Sequence, residues 1–294
     1  MVVYSALLIL IILFFVYSKT KRTLTNNEDV GFAMTFSFLS LWLISGFRYM
    51  TGTDFISYKN YFEVIDYYSL TNPLYETGYF LINYIIGLFT SDFQYVFLVT
   101  SFIVIYFIHK TLKDFSASYM FSIFLFVTMY FYYESFNVVR QYIVVAIVFF
   151  SIRYILKKNL KRFLFTVIIA SFFHVTALIM IPFYWLSRVK LNNLTYLIIA
   201  IATIGLSFFT PTIVSLVSIV VPKFAVYVDY SVEGSSANTK LIMVACILLF
   251  AFIYKKKLIS LNENNIIYIN MVYFALLFTL LARENILFYR IALI

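Results

Sequence analysis

The chain has 294 residues, of which 63% are hydrophobic and only 12% charged, and its mean hydropathy is +0.94. Soluble domains carry roughly 25% charged residues, and a water-soluble monomer this apolar would expose greasy patches of a size that soluble proteins avoid. The formal charge of +9 would raise the question of nucleic acid in a soluble protein, but Lys and Arg here sit in short clusters between apolar runs, the pattern that orients membrane helices, so no nucleic-acid partner is expected.

A bilayer core of about 30 Å takes roughly 20 residues of helix, and backbone polar groups in lipid must pair within their own segment. The apolar runs therefore read as helices, in chain order 2–17, 30–47, 93–108, 119–133, 142–156, 160–173, 175–186, 194–209, 241–254 and 266–281. Two shorter runs, 77–90 and 212–221, have the length of re-entrant or interfacial segments. The fold class expected is all-α: a polytopic transmembrane helical bundle of about ten crossings plus these two short segments, forming one integral membrane domain over residues 1–294. The first run is followed, not preceded, by Lys19, Lys21 and Arg22, the reverse of a cleavable secretory signal. Pro182 falls inside an apolar run and predicts a kink, and Tyr130–Tyr133 reads as an interfacial aromatic belt. The run from Ile286 is too short to span, which predicts either further helices beyond residue 294 or a half-helix.

Charge tests this order. With Lys19–Arg22 in the cytoplasm and sides alternating, roughly two-thirds of the 22 basic residues fall in cytoplasmic loops. The bias requires 160–186 to be a hairpin of two short helices and 77–90 not to cross. Residues 48–76 and 223–240 are then external loops. The lone cysteine, Cys246, can form no intrachain disulfide.

No P-loop, G-x-G-x-x-G, H-E-x-x-H, paired C-x-x-C or G-x-S-x-G occurs, which argues against an ATP-driven pump, a zinc protease and a standard serine hydrolase. No cofactor and no metal are expected, because the chain has two His and one Cys and its adjacent acidic pair, Glu28-Asp29, falls on the cytoplasmic side. What remains is a polar set gathered at the outer boundary: Arg48, Asp54, Tyr58, Glu76, Glu134, Asn137, Arg140, Gln141, His174, Arg283 and Arg290. If 137–141 opens the next helix, Asn137, Arg140 and Gln141 share a face, and Asp54 and Tyr58 are i, i+4 neighbours on a short loop helix. Arginines at headgroup depth suit a lipid diphosphate, since the guanidinium binds phosphate oxygens bidentately and keeps its charge. His174, or Glu134 or Asp54 behind it, suits proton acceptance from an attacking hydroxyl. Each residue also has an ordinary reading: Arg48 as a helix end against lipid phosphate, Arg283 as a partner of Glu284, Glu76 and Glu134 as solvated loop carboxylates.

Gly46-Phe47-Arg48 with Gly52-Thr53-Asp54 and Tyr58, then Glu76-Thr77-Gly78-Tyr79, then Asn137-Val138-Val139-Arg140-Gln141, then the alanine-bearing stretch through Phe172-Phe173-His174, and finally Arg290 follow one another in the chain. In this order they resemble the motifs of the EpsG family, bacterial membrane proteins of exopolysaccharide, capsule and O-antigen synthesis. The resemblance implies a Wzy-type polymerase, a glycosyltransferase joining repeat units carried on undecaprenyl diphosphate at the outer face of the cytoplasmic membrane. Within the outer-boundary polar set, His174, Arg140 and Glu134 are the expected catalytic residues. Arg48, Asp54, Tyr58, Glu76, Asn137, Gln141, Arg283 and Arg290 would hold substrate. The partners implied are the undecaprenyl-diphosphate-linked oligosaccharide, the bilayer, and flippase and chain-length regulator proteins. Rival readings are a flippase or transporter of lipid-linked sugars, an outer-face acyltransferase using His174, and a non-catalytic scaffold.

Overall fold

The structure is a computed structural model that describes residues 28–67, 75–220, 235–282 and 285–294, with Ala225 and a few positions between Ile9 and Val16. Most of the first predicted helix, its flanking Lys19, Lys21 and Arg22, residues 68–74 of the first predicted external loop, most of the second, and Arg283 with Glu284 lie outside the described residues. Every regular element among the described residues is a helix, as backbone pairing in lipid demands. Three of them, Gln94–Phe115, Val139–Leu156 and Asn265–Ala282, are long and apolar enough to cross a bilayer. Asn193–Ser207 and Thr210–Ile219 pass that test together but are bent by 79° at their junction. Gly31–Gly46, Tyr119–Thr128, Val175–Leu186 and Asn238–Ile253 are shorter apolar helices. Large apolar side chains are widely exposed, among them Phe89 at 84% and Phe208 at 80%. A surface of this kind is stable against acyl chains and not against water, so the chain is a helical membrane protein.

The chain divides into two compact units, Met1–Ile152 with Thr166–Val175 and Arg153–Phe165 with Thr176–Ile294. In the first, α1 (Glu28–Gly46) packs along α4 (Gln94–Phe115). Without a hydrophobic drive between helices in lipid, polar side chains pin them. Trp42 donates to the Leu98 carbonyl at 2.9 Å, and the Ser45 and Ser101 hydroxyls meet at 2.9 Å. Between α1 and α4 lie α2 (Phe55–Glu63) and α3 (Thr77–Gly87). They bury Phe55, Tyr58, Tyr61, Phe62, Tyr79 and Phe80 against Phe97 and Val139. The short run at 77–90 is thus one 11-residue helix.

The run at 119–133 departs from the single helix expected. It breaks into α5 (Tyr119–Thr128) and α6 (Phe131–Glu134) around Tyr130, whose φ is +72°. No glycine or proline marks the break. Tertiary contacts make it: the turn swings Tyr132 inward, where it is wholly buried and donates to the Leu41 carbonyl at 2.8 Å. Tyr132 is therefore a core residue and not part of an interfacial belt, while Tyr130 stays 58% exposed. The chain then turns through Ser135–Val138 into α7 (Val139–Leu156). The expected hairpin has its break where predicted: α8 (Leu160–Ser171) ends before Phe172–His174, and a 3-10 helix, Val175–Met180, follows. Pro182 then opens α9 (Phe183–Leu186).

The second unit holds α10 (Asn193–Ser207), α11 (Thr210–Val220), α12 (Ser235–Ile253), α13 (Lys255–Leu261), α14 (Asn265–Ala282) and α15 (Ile286–Ala292). α14 is central: it packs on α10, α12 and α15. Its buried Asn270 accepts from Tyr196 and donates to the carbonyls of Ser187 at 2.8 Å and Val189 at 2.9 Å. One amide thereby satisfies three groups that lipid would leave unpaired.

Candidate functional site

The sequence-predicted residues Arg48, Asp54, Tyr58, Glu76, Glu134, Asn137, Arg140, Gln141 and His174 all belong to the first unit. Arg290 belongs to the second, on α15, and Arg283 lies outside the described residues.

Arg140 is the second residue of α7. Its guanidinium donates to the Glu76 carboxylate and lies over the Tyr75 ring, 3.9 Å from the centroid. The two side chains are 18% and 8% exposed, so this ion pair is largely desolvated and each charge depends on the other. The Nε of Arg140 is buried and has no hydrogen-bond partner among the described residues. Tyr58, from α2, also reaches the guanidinium with its hydroxyl. Burial pushes the Tyr58 phenol up from its ordinary value; the Arg140 charge pulls back in part, and Asp54 and Tyr75 push it up further. Tyr61, Tyr75 and Tyr79 complete a ring cluster, with Tyr61 and Tyr75 centroids 4.5 Å apart.

The approach of Glu76 to Arg140 is shaped at the start of α3. Glu76 stands at the N-cap, where an acidic side chain ordinarily accepts from the first turn's N–H groups; here it makes no such bond. The Gly78 N–H, one of the orphan donors of a helix start, goes instead to the Phe172 carbonyl at 2.7 Å. A Cβ on Gly78 would sit 2.8 Å from that oxygen and 3.0 Å from its carbon. Only glycine permits this approach, and it ties Glu76-Thr77-Gly78 to Phe172-Phe173-His174. His174 itself is buried, its N–H donating to the Ala170 carbonyl at 3.2 Å.

A second tie joins the first external segment to the turn before α7. Gly52 has φ +99°, a conformation that favours glycine, and a Cβ there would meet Asn137 Oδ1 at 2.8 Å. The same Oδ1 accepts from the Thr53 N–H at 2.7 Å and from its hydroxyl at 3.3 Å, and that hydroxyl also contacts Asp54 Oδ1 at 3.3 Å. Asp54 occupies the N-cap position of α2, and the Tyr58 N–H donates to its carbonyl at 3.1 Å, so the expected i, i+4 relation is present. Asn137 is not on a helix, however. α7 begins at Val139, and Asn137 turns to hold the 52–54 loop, so it does not share a helical face with Arg140 and Gln141. Gln141 is buried.

Arg48 points inward. It is 4% exposed, donates to the Ser45 carbonyl at 2.7 Å, and lies over Phe97 at 3.9 Å and Phe136 at 5.0 Å. A cavity of about 10 Å³, roughly one water's room, is walled by Ser45, Arg48, Thr100, Ser101 and Ser135. Glu134 is also buried and accepts from the Tyr142 hydroxyl at 2.8 Å, so it is not a solvated loop carboxylate.

Sequence reasoning missed Tyr75, Tyr61 and Tyr142. Tyr75 carried one usable signal, its place directly before Glu76; the others stand in apolar runs like ordinary packing residues.

The four motifs thus form one bonded network within the first unit. Gly52–Asp54 is held by Asn137, Phe136 beside it covers Arg48, Arg140 binds Glu76, and Gly78 binds Phe172. No curated protein and no solved structure gives a match to this chain. Residues 31–294 match the EpsG family over nearly the whole length, and the chain belongs to that family.

Proposed function

We propose that this protein is a polysaccharide polymerase, a membrane glycosyltransferase that joins oligosaccharide repeat units carried on undecaprenyl diphosphate. The growing glycan on its lipid diphosphate is the donor, and a hydroxyl of the incoming unit is the acceptor. The reading includes about ten crossings of the bacterial cytoplasmic membrane with the site facing outward, which the loop charge bias supports. Family membership supports the polymerase class. The observation that carries the mechanism is Arg140: a nearly buried guanidinium, oriented by Glu76 and Tyr75, with an Nε that no described group satisfies.

A buried donor left unpaired costs about 1–3 kcal/mol, and an anionic ligand removes that cost. A diphosphate oxygen at Nε, with Glu76 holding Nη1, would be bound in the orientation where negative charge grows as the leaving group departs. Arg48 packs between rings and positions Phe136 and the turn that carries Asn137. Asp54 is half-exposed and its charge acts on Tyr58, which contacts the arginine, so it takes the role of proton acceptor. His174 and Glu134 are buried and act by fixing the Phe172 turn and α7. Tyr58, Gln141 and Asn137 shape the substrate site around that arginine.

The test is polymerisation in lipid. The purified protein is given undecaprenyl-diphosphate-linked repeat units and the products are resolved as a glycan ladder. Arg140→Lys should lower the rate by about 100-fold, because charge without the planar fork does not reproduce the contact. An Arg140→Ala protein that builds the same ladder as wild type overturns the mechanism.

A further inference from the structure

In the second unit, α10, α12, α13 and α14 surround an open groove of about 1150 Å³. That exceeds the roughly 300–1,000 Å³ of small-molecule sites. Its walls are apolar, with Leu197, Ala200, Leu248, Ile253 and Leu276 along its length. Leu197 is 56% and Ile253 67% exposed, so the groove opens sideways to acyl chains.

One end is charged. Lys255 and Lys256 line the groove there, and a niche of about 180 Å³ shares Lys255, Ile259 and Glu263 with it and adds Lys190. Lys255 is half-buried, its ammonium 4.4 Å over the Tyr196 ring and 3.3 Å from the Leu191 carbonyl. No carboxylate among the described residues forms an ion pair with it, and desolvation holds its ammonium below the ordinary lysine value. The rim therefore carries three lysines against one carboxylate, Glu263. Helix α13 begins with Lys255, Lys256 and Lys257, buries no residue and leaves Leu261 72% exposed. Lysines at such a turn reach headgroups with their ammonium groups while their stems lie along apolar surface.

We propose that this groove is a binding site for an anionic glycerophospholipid of the leaflet that the charge bias assigns to the cytoplasm. The phosphodiester sits at Lys255, Lys256 and Lys190, the headgroup hydroxyls donate to Glu263, and one acyl chain lies along Ala200, Leu248 and Leu276. The excess of positive charge at the rim selects an anionic headgroup over a zwitterionic one. The groove walls require a lipid and exclude free phosphate. The site shares no residue with the Arg140 cluster and does not depend on the polymerase reading.

Native mass spectrometry of the full chain in detergent tests it, with phosphatidylglycerol, phosphatidylethanolamine, phosphatidylcholine and inorganic phosphate as separate probes. Wild type should retain one phosphatidylglycerol about tenfold or more over phosphatidylcholine, with inorganic phosphate neither retained nor competing. Lys255→Gln/Lys256→Gln should abolish that preference. Lys256→Gln alone, at an exposed position, should weaken it about fivefold. Ala200→Trp should expel the lipid with every lysine intact, and Lys157→Gln/Lys158→Gln, at another basic turn, should change nothing. Equal retention of phosphatidylglycerol, phosphatidylethanolamine and phosphatidylcholine, competition by inorganic phosphate, or an unchanged preference in the Lys256 and Ala200 variants would overturn the proposal.

Discussion

Replacing Gly78 by alanine adds one methyl group at the point where two distant motifs touch, and the structure sets the cost. The new Cβ would stand 2.8 Å from the Phe172 oxygen, 3.0 Å from its carbonyl carbon and 3.1 Å from Phe173 Cε1. Ordinary contact begins near 3.4 Å, so about 0.6 Å must be found, and two of the three atoms are backbone that cannot rotate away. If α3 backs off by that amount, the 2.7 Å hydrogen bond from Gly78 N to Phe172 O stretches to roughly 3.3 Å and most of its 0.5–1.5 kcal/mol is lost. If it does not, the strain of overpacking is about 1–3 kcal/mol. The chain takes the cheaper mixture, and we expect a loss of about 1–3 kcal/mol together with a displaced Glu76. Thermal unfolding of the purified protein in a fixed detergent reads the first effect, and the glycan ladder reads the second. Gly31→Ala and Gly205→Ala are the internal controls. Both lie inside helices with nothing within 4 Å of the added methyl, and alanine there should be neutral or stabilising by about 0.5–1 kcal/mol. A Gly78→Ala protein that melts with these two and polymerises normally would refute the contact between the Glu76 and His174 motifs.

Glu76→Gln leaves Arg140 with a neutral partner in a desolvated place, so it should destabilise by about 1–3 kcal/mol and slow polymerisation, read by the same two assays. Gly52→Ala combines a positive φ of +99° with a 2.8 Å approach to Asn137 Oδ1 and should cost about 1–3 kcal/mol; Asn137→Ala, which releases the Thr53 N–H and its longer hydroxyl contact, should cost about 1 kcal/mol. Tyr142→Phe removes the hydroxyl that donates to buried Glu134 and should destabilise by about 1–3 kcal/mol in melting experiments. Tyr58 has a phenol pKa raised by burial, so its contribution to stability is complete below the unfolded value of about 10 and is lost as pH rises through the higher folded value. Melting temperature should therefore hold up to about pH 10 and fall above it. Tyr58→Phe should flatten the part of that fall that belongs to this site.

Much of the fold was legible because lipid leaves so few solutions. Apolar runs had to be helices, and the helix pair over 160–186 showed its break at Phe172–His174 through length and charge alone. The break at Tyr130 was not legible. Its sequence, Thr128-Met129-Tyr130-Phe131-Tyr132, has no helix breaker, and the left-handed residue is imposed by Tyr132 seeking the Leu41 carbonyl 91 positions away. Local propensity carries no trace of such a partner. The same limit explains Asn137. Its spacing to Arg140 and Gln141 fits a helical face, but spacing assumes the helix has begun, and the demand of the Gly52–Asp54 loop for an acceptor ends the turn first.

The glycines show how a motif can be read for its partners and not for its chemistry. Gly52 and Gly78 each sit where another segment's polar group would stand 2.8 Å from an added Cβ, one at Asn137 and one at Phe172. In both cases the partner belongs to another motif of the set. At Gly78 both partners are backbone, so neither has a rotamer to relax, and relative position is fixed more tightly there than by side-chain packing. The result at Arg140 follows directly: Phe172 takes the helix-start donor that Glu76 would otherwise cap, the carboxylate turns to the guanidinium, and the guanidinium is held over Tyr75 with one N–H left over. The glycines thus set the orientation of an arginine they do not touch, which is why a methyl group at position 78 is expected to be felt at position 140.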